Sequence, residues 1–183
     1  LAQTRVVVNG NYIVVSGGTA GTPNYMVVDN SAPNAITRSA GHIISEGQYN
    51  YVKWNCGTAT GNYTFPFGFS TTSYLPLTLN KTSAGLSNFT ASTWRTAGSN
   101  NLPWAGVSNV SAVTNMYSGT LGQDATDEAV IDRWWSVIPS GASTADLTFS
   151  YRGEETTMTT SPTGLLATQH WSGLPVGWND GKL

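Results

Sequence analysis

Apolar residues along this chain fall in short runs that alternate with polar ones, and they do not recur every three or four positions. The runs are rich in Val, Ile, Tyr and Thr and are bounded by Gly, Asn, Asp and Pro, the signature of strands separated by turns. On this reading strands lie near 5–8, 12–16, 25–28, 42–44, 51–55, 63–67, 74–80, 87–93, 130–138, 145–151, 156–160 and 165–171. Asn9-Gly10, Ser16-Gly17-Gly18, Asp29-Asn30 and Asp180-Gly181 read as turns. No window of 12 or more residues keeps a helical period, so no helix is predicted.

Two-residue stripes identify the core. Tyr63, Phe65 and Phe67 share one strand face, Leu75, Leu77 and Leu79 another, and Val52, Trp54 and Cys56 a third. Pro66 and Pro76 each remove a strand donor and so mark edges, strand starts or bulges. The first 47 residues carry shorter strands. Within them Asn11-Tyr-Ile-Val-Val-Ser-Gly17 recurs loosely as Asn24-Tyr-Met-Val-Val-Asp-Asn30, 13 residues later, which suggests stacked rungs or a ladder of tight hairpins. From Gln48 onward the strands lengthen, and all seven Trp lie there. The predicted fold is all-β: an antiparallel, Greek-key-like β-sandwich over 48–183, preceded by short N-terminal strands or rungs over 1–47. The weakly patterned stretch 96–127 reads as an excursion that packs on the sandwich through Leu102, Trp104 and Met116.

Composition narrows the functional classes. Only 10% of the 183 residues are charged, against ~25% in ordinary soluble domains. Yet 39% are hydrophobic, which suffices for a core and excludes disorder for most of the chain. A net charge of −2 speaks against nucleic acid, which needs clustered Lys and Arg. The 44 Ser and Thr with 20 Gly make the chain polar without charge, a habit of secreted β-proteins. No apolar run approaches a membrane span. Leu1-Ala2-Gln3-Thr4 is no complete signal peptide, though it fits the tail of one. The single cysteine, Cys56, excludes an intrachain disulfide and is expected in the core.

No catalytic constellation stands out. Glu154 and Glu155 are neighbours on a strand and point to opposite faces. Asp124, Asp127 and Glu128 lack the alternating spacing of a calcium loop, so no metal is expected. His42 and His170 belong to no ligand-spaced motif and are expected as satisfied core or surface residues. There is no phosphate loop, nucleophile elbow or zinc-protease motif, and neither enzyme activity nor a cofactor is expected. Asp132 and Arg133 sit in an apolar strand with Trp134 and Trp135, one Trp facing each side. A lone buried charge is too costly, so the two are expected to form a structural polar pair. In that arrangement Asp132 caps backbone N–H groups, and Arg133 pairs across strands or stacks on an aromatic ring. Trp104 and Trp178 lie in Gly-, Asn- and Pro-rich stretches and are candidate glycan contacts.

Four segments in order resemble a β-domain of secreted and surface proteins of Bacteroidetes. They are Tyr49-Asn-Tyr-Val-Lys-Trp-Asn55, Thr60-Gly-Asn-Tyr-Thr-Phe-Pro-Phe-Gly68, Tyr74-Leu-Pro-Leu-Thr-Leu79 and Val130-Ile-Asp-Arg-Trp-Trp135. The resemblance implies export by the type IX secretion system, a location outside the cell or on its surface, and a non-enzymatic role in adhesins, appendages or matrix. It transfers no catalytic residue. The sorting domain that usually ends such proteins has no counterpart before Leu183.

The N-terminal segment 5–15 is β-prone and carries one charge, at Arg5. Natural strand edges are guarded by Lys, Pro or bulges, so this segment needs cover. Two arrangements supply it. The segment folds back on its own domain, or it completes the sheet of a neighbouring subunit, with Val6, Val8, Tyr12 and Val14 filling the acceptor groove. The expected function is thus a structural or adhesive protein that self-associates into a filament or matrix, without membrane insertion. Its partners are copies of itself or neighbouring domains. The alternative is a carbohydrate-binding or adhesin module with glycan partners.

Overall fold

In the computed structural model, residues 5–95, 131, 133–142, 144–152, 155, 168–173 and 176–182 are described. They form β1 (Val6–Val14), β2 (Asn24–Val28), β3 (Ile36–Ile44), β4 (Asn50–Trp54), β5 (Gly61–Phe65), β6 (Phe67–Phe69), β7 (Ser73–Tyr74), β8 (Leu77–Lys81), β9 (Phe89–Trp94), β10 (Trp134–Pro139), β11 (Ala145–Thr148), β12 (Thr168–Gly173) and β13 (Val176–Lys182). Two compact units emerge: Leu1–Trp94 with Trp135–Ser150, and Arg95–Trp134 with Tyr151–Leu183. The sequence-predicted strand at 156–160 and the excursion at 96–127 lie outside the described residues.

The first unit is an all-β, sandwich-like fold whose opening strands wind as coils. Sheet I runs β1-β3-β6-β7, sheet II runs β10-β9-β4-β2, and sheet III runs β11-β8-β5. The chain crosses from sheet I to sheet II and back, so each return lays a strand parallel to the previous one. β1 pairs with β3 in parallel, Val6 opposite Ile36; β2 pairs with β4 in parallel, Asn24 opposite Asn50; β3 pairs with β6 in parallel. The antiparallel pairs expected of a sandwich follow: β4 with β9, β5 with β8, β6 with β7 and β8 with β11. Pairing is therefore mixed. Strands on the two sides of residue 47 join the same sheets, β2 with β4 and β3 with β6. The 13-residue recurrence relates half-coils on opposite sheets, since Tyr12 lies in β1 and Tyr25 in β2.

Asn9-Gly10 is where the sequence reading departs most from the structure. An Asn-Gly pair between apolar runs is the strongest short hairpin signal. Here the strand runs straight through it as β1. Gly10 takes φ +77°, and the register with β3 shifts on both sides of Asn9. The irregularity flips the alternation of faces. Val6 and Val8 face inward before it, and Ile13 and Val15 do so after it. Val6, Val8, Tyr12 and Val14 therefore do not share one face: Val8 is in the core, while Tyr12 and Val14 are exposed. β3 answers with its own glycine, Gly41, at φ +75°. A Cβ there would run into the backbone of Asn11 on the adjoining coil.

Side chains from all three sheets meet in one core. Trp54 of β4 stands edge-on to Tyr63 and Phe65 of β5, Phe65 stacks on Phe67 of β6, and Phe89 of β9 closes on Phe65. Leu77 and Leu79 of β8 are buried with them. Pro66 and Pro76 sit at the sheet changes, between β5 and β6 and between β7 and β8. Each still offers its carbonyl: Pro66 O accepts from the Ile43 N–H at 2.8 Å, and Pro76 O from the Ser150 hydroxyl at 2.5 Å. Cys56 is a free, buried thiol, as its alternation predicts, and burial raises its pKa.

In the second unit, β12 and β13 form an antiparallel hairpin with Trp171 opposite Trp178. The buried Arg133 is held by Glu155 through Nε–H to Oε1 at 2.9 Å and through Nη2 to the same oxygen. Glu155 Oε2 also accepts from the Arg152 N–H at 2.9 Å.

Candidate functional site

Two arrangements in the first unit bear on function. The first is the open side of the first coil. β1 ends sheet I and β2 ends sheet II, so among the described residues one side of each strand has no strand partner. Exposed large apolar side chains concentrate on these two strands: Val7, Tyr12 and Val14 on β1, Tyr25 and Val27 on β2. Val7 and Val14 are each more than 60% exposed. Tyr25 stacks on Tyr51, its register partner on β4, with ring centroids 5.3 Å apart. Tyr51 is buried, which raises its pKa, and its hydroxyl meets Ser136. Stacked coils thus place like side chains above one another, and the Tyr row ends in the half-exposed ring of Tyr25. Of the candidate assembly residues, Val8 and Val6 are taken up by the fold-back of β1 on β3, and Tyr12 and Val14 remain outward.

The second arrangement is a polar shelf on sheet I. Tyr12 meets the His42 ring edge-on at 4.9 Å, and its hydroxyl donates to Thr71 O at 2.5 Å. His42 is buried, with Nε2 2.5 Å from Ser70 O. Gly68 leaves the room this ring needs, since a Cβ at that position would strike it. Beside this group the Arg38 guanidinium lies 3.7 Å over the centre of the Tyr74 ring, and its Nε–H donates to Gly41 O at 2.5 Å. Burial raises the Tyr74 pKa, and the Arg38 charge offsets part of the rise. Arg38 itself is exposed.

The remaining sequence-predicted residues are distributed differently. Arg133 is a buried structural residue, and Glu155 neutralises it. Asp132, Trp104 and the cluster of Asp124, Asp127 and Glu128 lie outside the described residues, as does the side chain of Trp178. Sequence reasoning missed three groups. Glu155 serves Arg133 across 22 residues. Lys81 is 1% exposed and donates its ammonium to Gly57 O. Arg38 carries no sequence signal beyond being a charge in a chain with few. An apolar cleft of about 300 Å³ lies between Leu79, Leu86, Phe89, Val137, Ala145 and Leu147, without polar groups that converge for chemistry. Among the described residues no three His, Cys, Asp or Glu side chains form a metal-sized group.

No protein-family model, curated protein or solved structure matches this chain.

Proposed function

We propose that this protein is a structural or adhesive β-protein of the cell exterior that self-associates through the open side of its first coil. The observation that carries this reading is that both sheets end on that coil, with β1 and β2 presenting edges unpaired among the described residues beside exposed Val7, Val14, Tyr25 and Val27. Soluble β-proteins guard such edges with charge or bulges, and the register irregularities of β1 sit in mid-strand, on either side of Asn9. A second copy that docks along β1 supplies main-chain partners and covers the valines. The low charge and the four segments that resemble Bacteroidetes surface domains support an exported protein, with type IX secretion as the proposed route.

Edge addition fits the fold better than strand exchange does. If β1 left its own sheet, Val8 and Ile13 would leave the core and Ile36 and Ile43 of β3 would lose their partners. The test is therefore a charge on the edge instead of a deletion. Sedimentation of the full chain over a range of concentrations, with electron microscopy of the largest species, should show concentration-dependent assembly. Val7→Lys with Val27→Lys should abolish it with little loss of fold, because both side chains are exposed. A wild-type chain that stays monomeric at high concentration refutes the proposal, and so does a double variant that assembles like wild type.

A further inference from the structure

We propose that Arg38 is a recognition residue for the carboxylate of an acidic saccharide such as a uronic acid. This goes beyond the assembly reading and does not depend on it. An exposed arginine is ordinarily a mobile, solvated side chain. Here two contacts fix it: the Tyr74 ring beneath its plane and Gly41 O on its Nε–H. The backbone is arranged for the second contact, because Gly41 is held at φ +75° on the strand that carries Arg38. Among the described residues no acceptor is bonded to either terminal nitrogen, and no acidic side chain pairs with the guanidinium. The rotamer freedom that binding would remove is thus already spent, which is the preorganisation that raises affinity. A guanidinium held flat with two free terminal nitrogens matches the two oxygens of a carboxylate.

The surroundings favour a saccharide over an acidic peptide. On the shelf stand the exposed Tyr12 ring and the hydroxyls of Ser70 and Thr72 on the turn before Tyr74, and Ser39, next to Arg38 in sequence, donates its hydroxyl to the Asn9 carboxamide at 2.7 Å. These are neutral donors and acceptors with one aromatic face, suited to hydroxyl groups and to the C–H face of a sugar ring. Among the described residues the apolar cleft is lined by Leu79, Leu86, Phe89, Val137, Ala145 and Leu147, none of them a residue of this shelf.

The test is titration calorimetry of the full chain at low salt with a galacturonic acid hexamer, its methyl ester and hexaglutamate. The uronate hexamer should bind, and the uncharged ester and hexaglutamate should not. Arg38→Lys keeps the charge and loses the fork, and it should weaken binding at least tenfold. Tyr74→Leu removes the stack and should weaken it severalfold, with melting curves confirming that each variant is folded. Absence of uronate binding overturns the proposal, and so does equal binding by Arg38→Lys. Hexaglutamate that binds as tightly as the uronate overturns the saccharide assignment and points to a protein partner.

Discussion

Replacing Tyr63 by Phe should change how stability depends on pH as well as its size. The Tyr63 side chain is fully buried, and its hydroxyl lies 2.7 Å from Ser31 O, 3.0 Å from Ala59 O and 3.4 Å from Cys56 O. One proton serves three carbonyls that approach one another where β4 hands over to β5. Losing it leaves buried acceptors short of a donor, which costs about 1–2 kcal/mol near pH 8. The same burial pushes the Tyr63 pKa up to about 12. The unfolded chain releases this proton near pH 10, while the folded chain holds it. The stabilisation is therefore complete below pH 10 and is lost as pH rises from 10 toward 12. At pH 11 the wild type loses about 1.4 kcal/mol through this group alone. Tyr63→Phe loses none of that, so the gap between the two proteins should shrink to nearly nothing. Urea unfolding followed by fluorescence at pH 8 and pH 11 measures it, with Trp54 packed against Tyr63 as a reporter. Tyr51 and Tyr74, whose pKa values burial also raises, titrate in both proteins and cancel in the difference. A gap of the same size at both pH values would refute the reasoning.

Two further outcomes follow from the coils and from the buried pair. Gly10→Ala and Gly41→Ala both place a side chain at positive φ, but the first meets open space and the second meets the Asn11 backbone. Gly10→Ala should cost about 1 kcal/mol and Gly41→Ala clearly more, and equal costs by chemical denaturation would contradict the coil stacking. Glu155→Gln breaks the ion pair that Glu155 makes with the buried Arg133 and should cost on the order of 3–5 kcal/mol. Faster amide exchange at the Arg133 and Arg152 N–H groups should report it, and unchanged exchange there would show that the pair holds nothing together.

What the sequence disclosed is the local chemistry. The stripes Tyr63-Phe65-Phe67 and Leu75-Leu77-Leu79 pack inward as their period requires, Pro66 and Pro76 fall at sheet changes, and Cys56 is buried. The partner of each strand was harder to read. Asn9-Gly10 supplies a positive φ, and a hairpin turn and a bulge both need one. The choice between them was made by β3, whose Gly41 stands 31 positions further along. Marks of this stacking are in the sequence at a longer spacing than the 13-residue recurrence. Asn24-Tyr25 returns as Asn50-Tyr51, and these residues are register partners. Arg133 was legible as a buried charge in need of a partner. Its choice of Glu155 over a nearer acid was not, because that depends on where a later turn of chain comes to rest.

The scarcity of charge makes each charged position informative. A chain with only 10% charged residues does not place cations in its interior for solubility. Arg133 is neutralised by Glu155, and Lys81 buries its stem and gives its ammonium to Gly57 O, so both are spent on holding the fold together. Arg38 is different in kind. It is exposed, so removing it leaves no buried hole, and among the described residues it has no carboxylate partner, so it closes no ion pair there. Yet two contacts hold it, a ring below and a carbonyl beside it. Ordering a long side chain costs on the order of 2 kcal/mol of rotamer freedom, and an exposed cation–π contact returns about 0.5–1 kcal/mol. The contact and one hydrogen bond roughly balance that cost, so stability alone gives little reason for the arrangement. An arginine held in place at little net gain to the fold is available to a ligand such as the one proposed above, and this distinguishes Arg38 from Arg133 and Lys81.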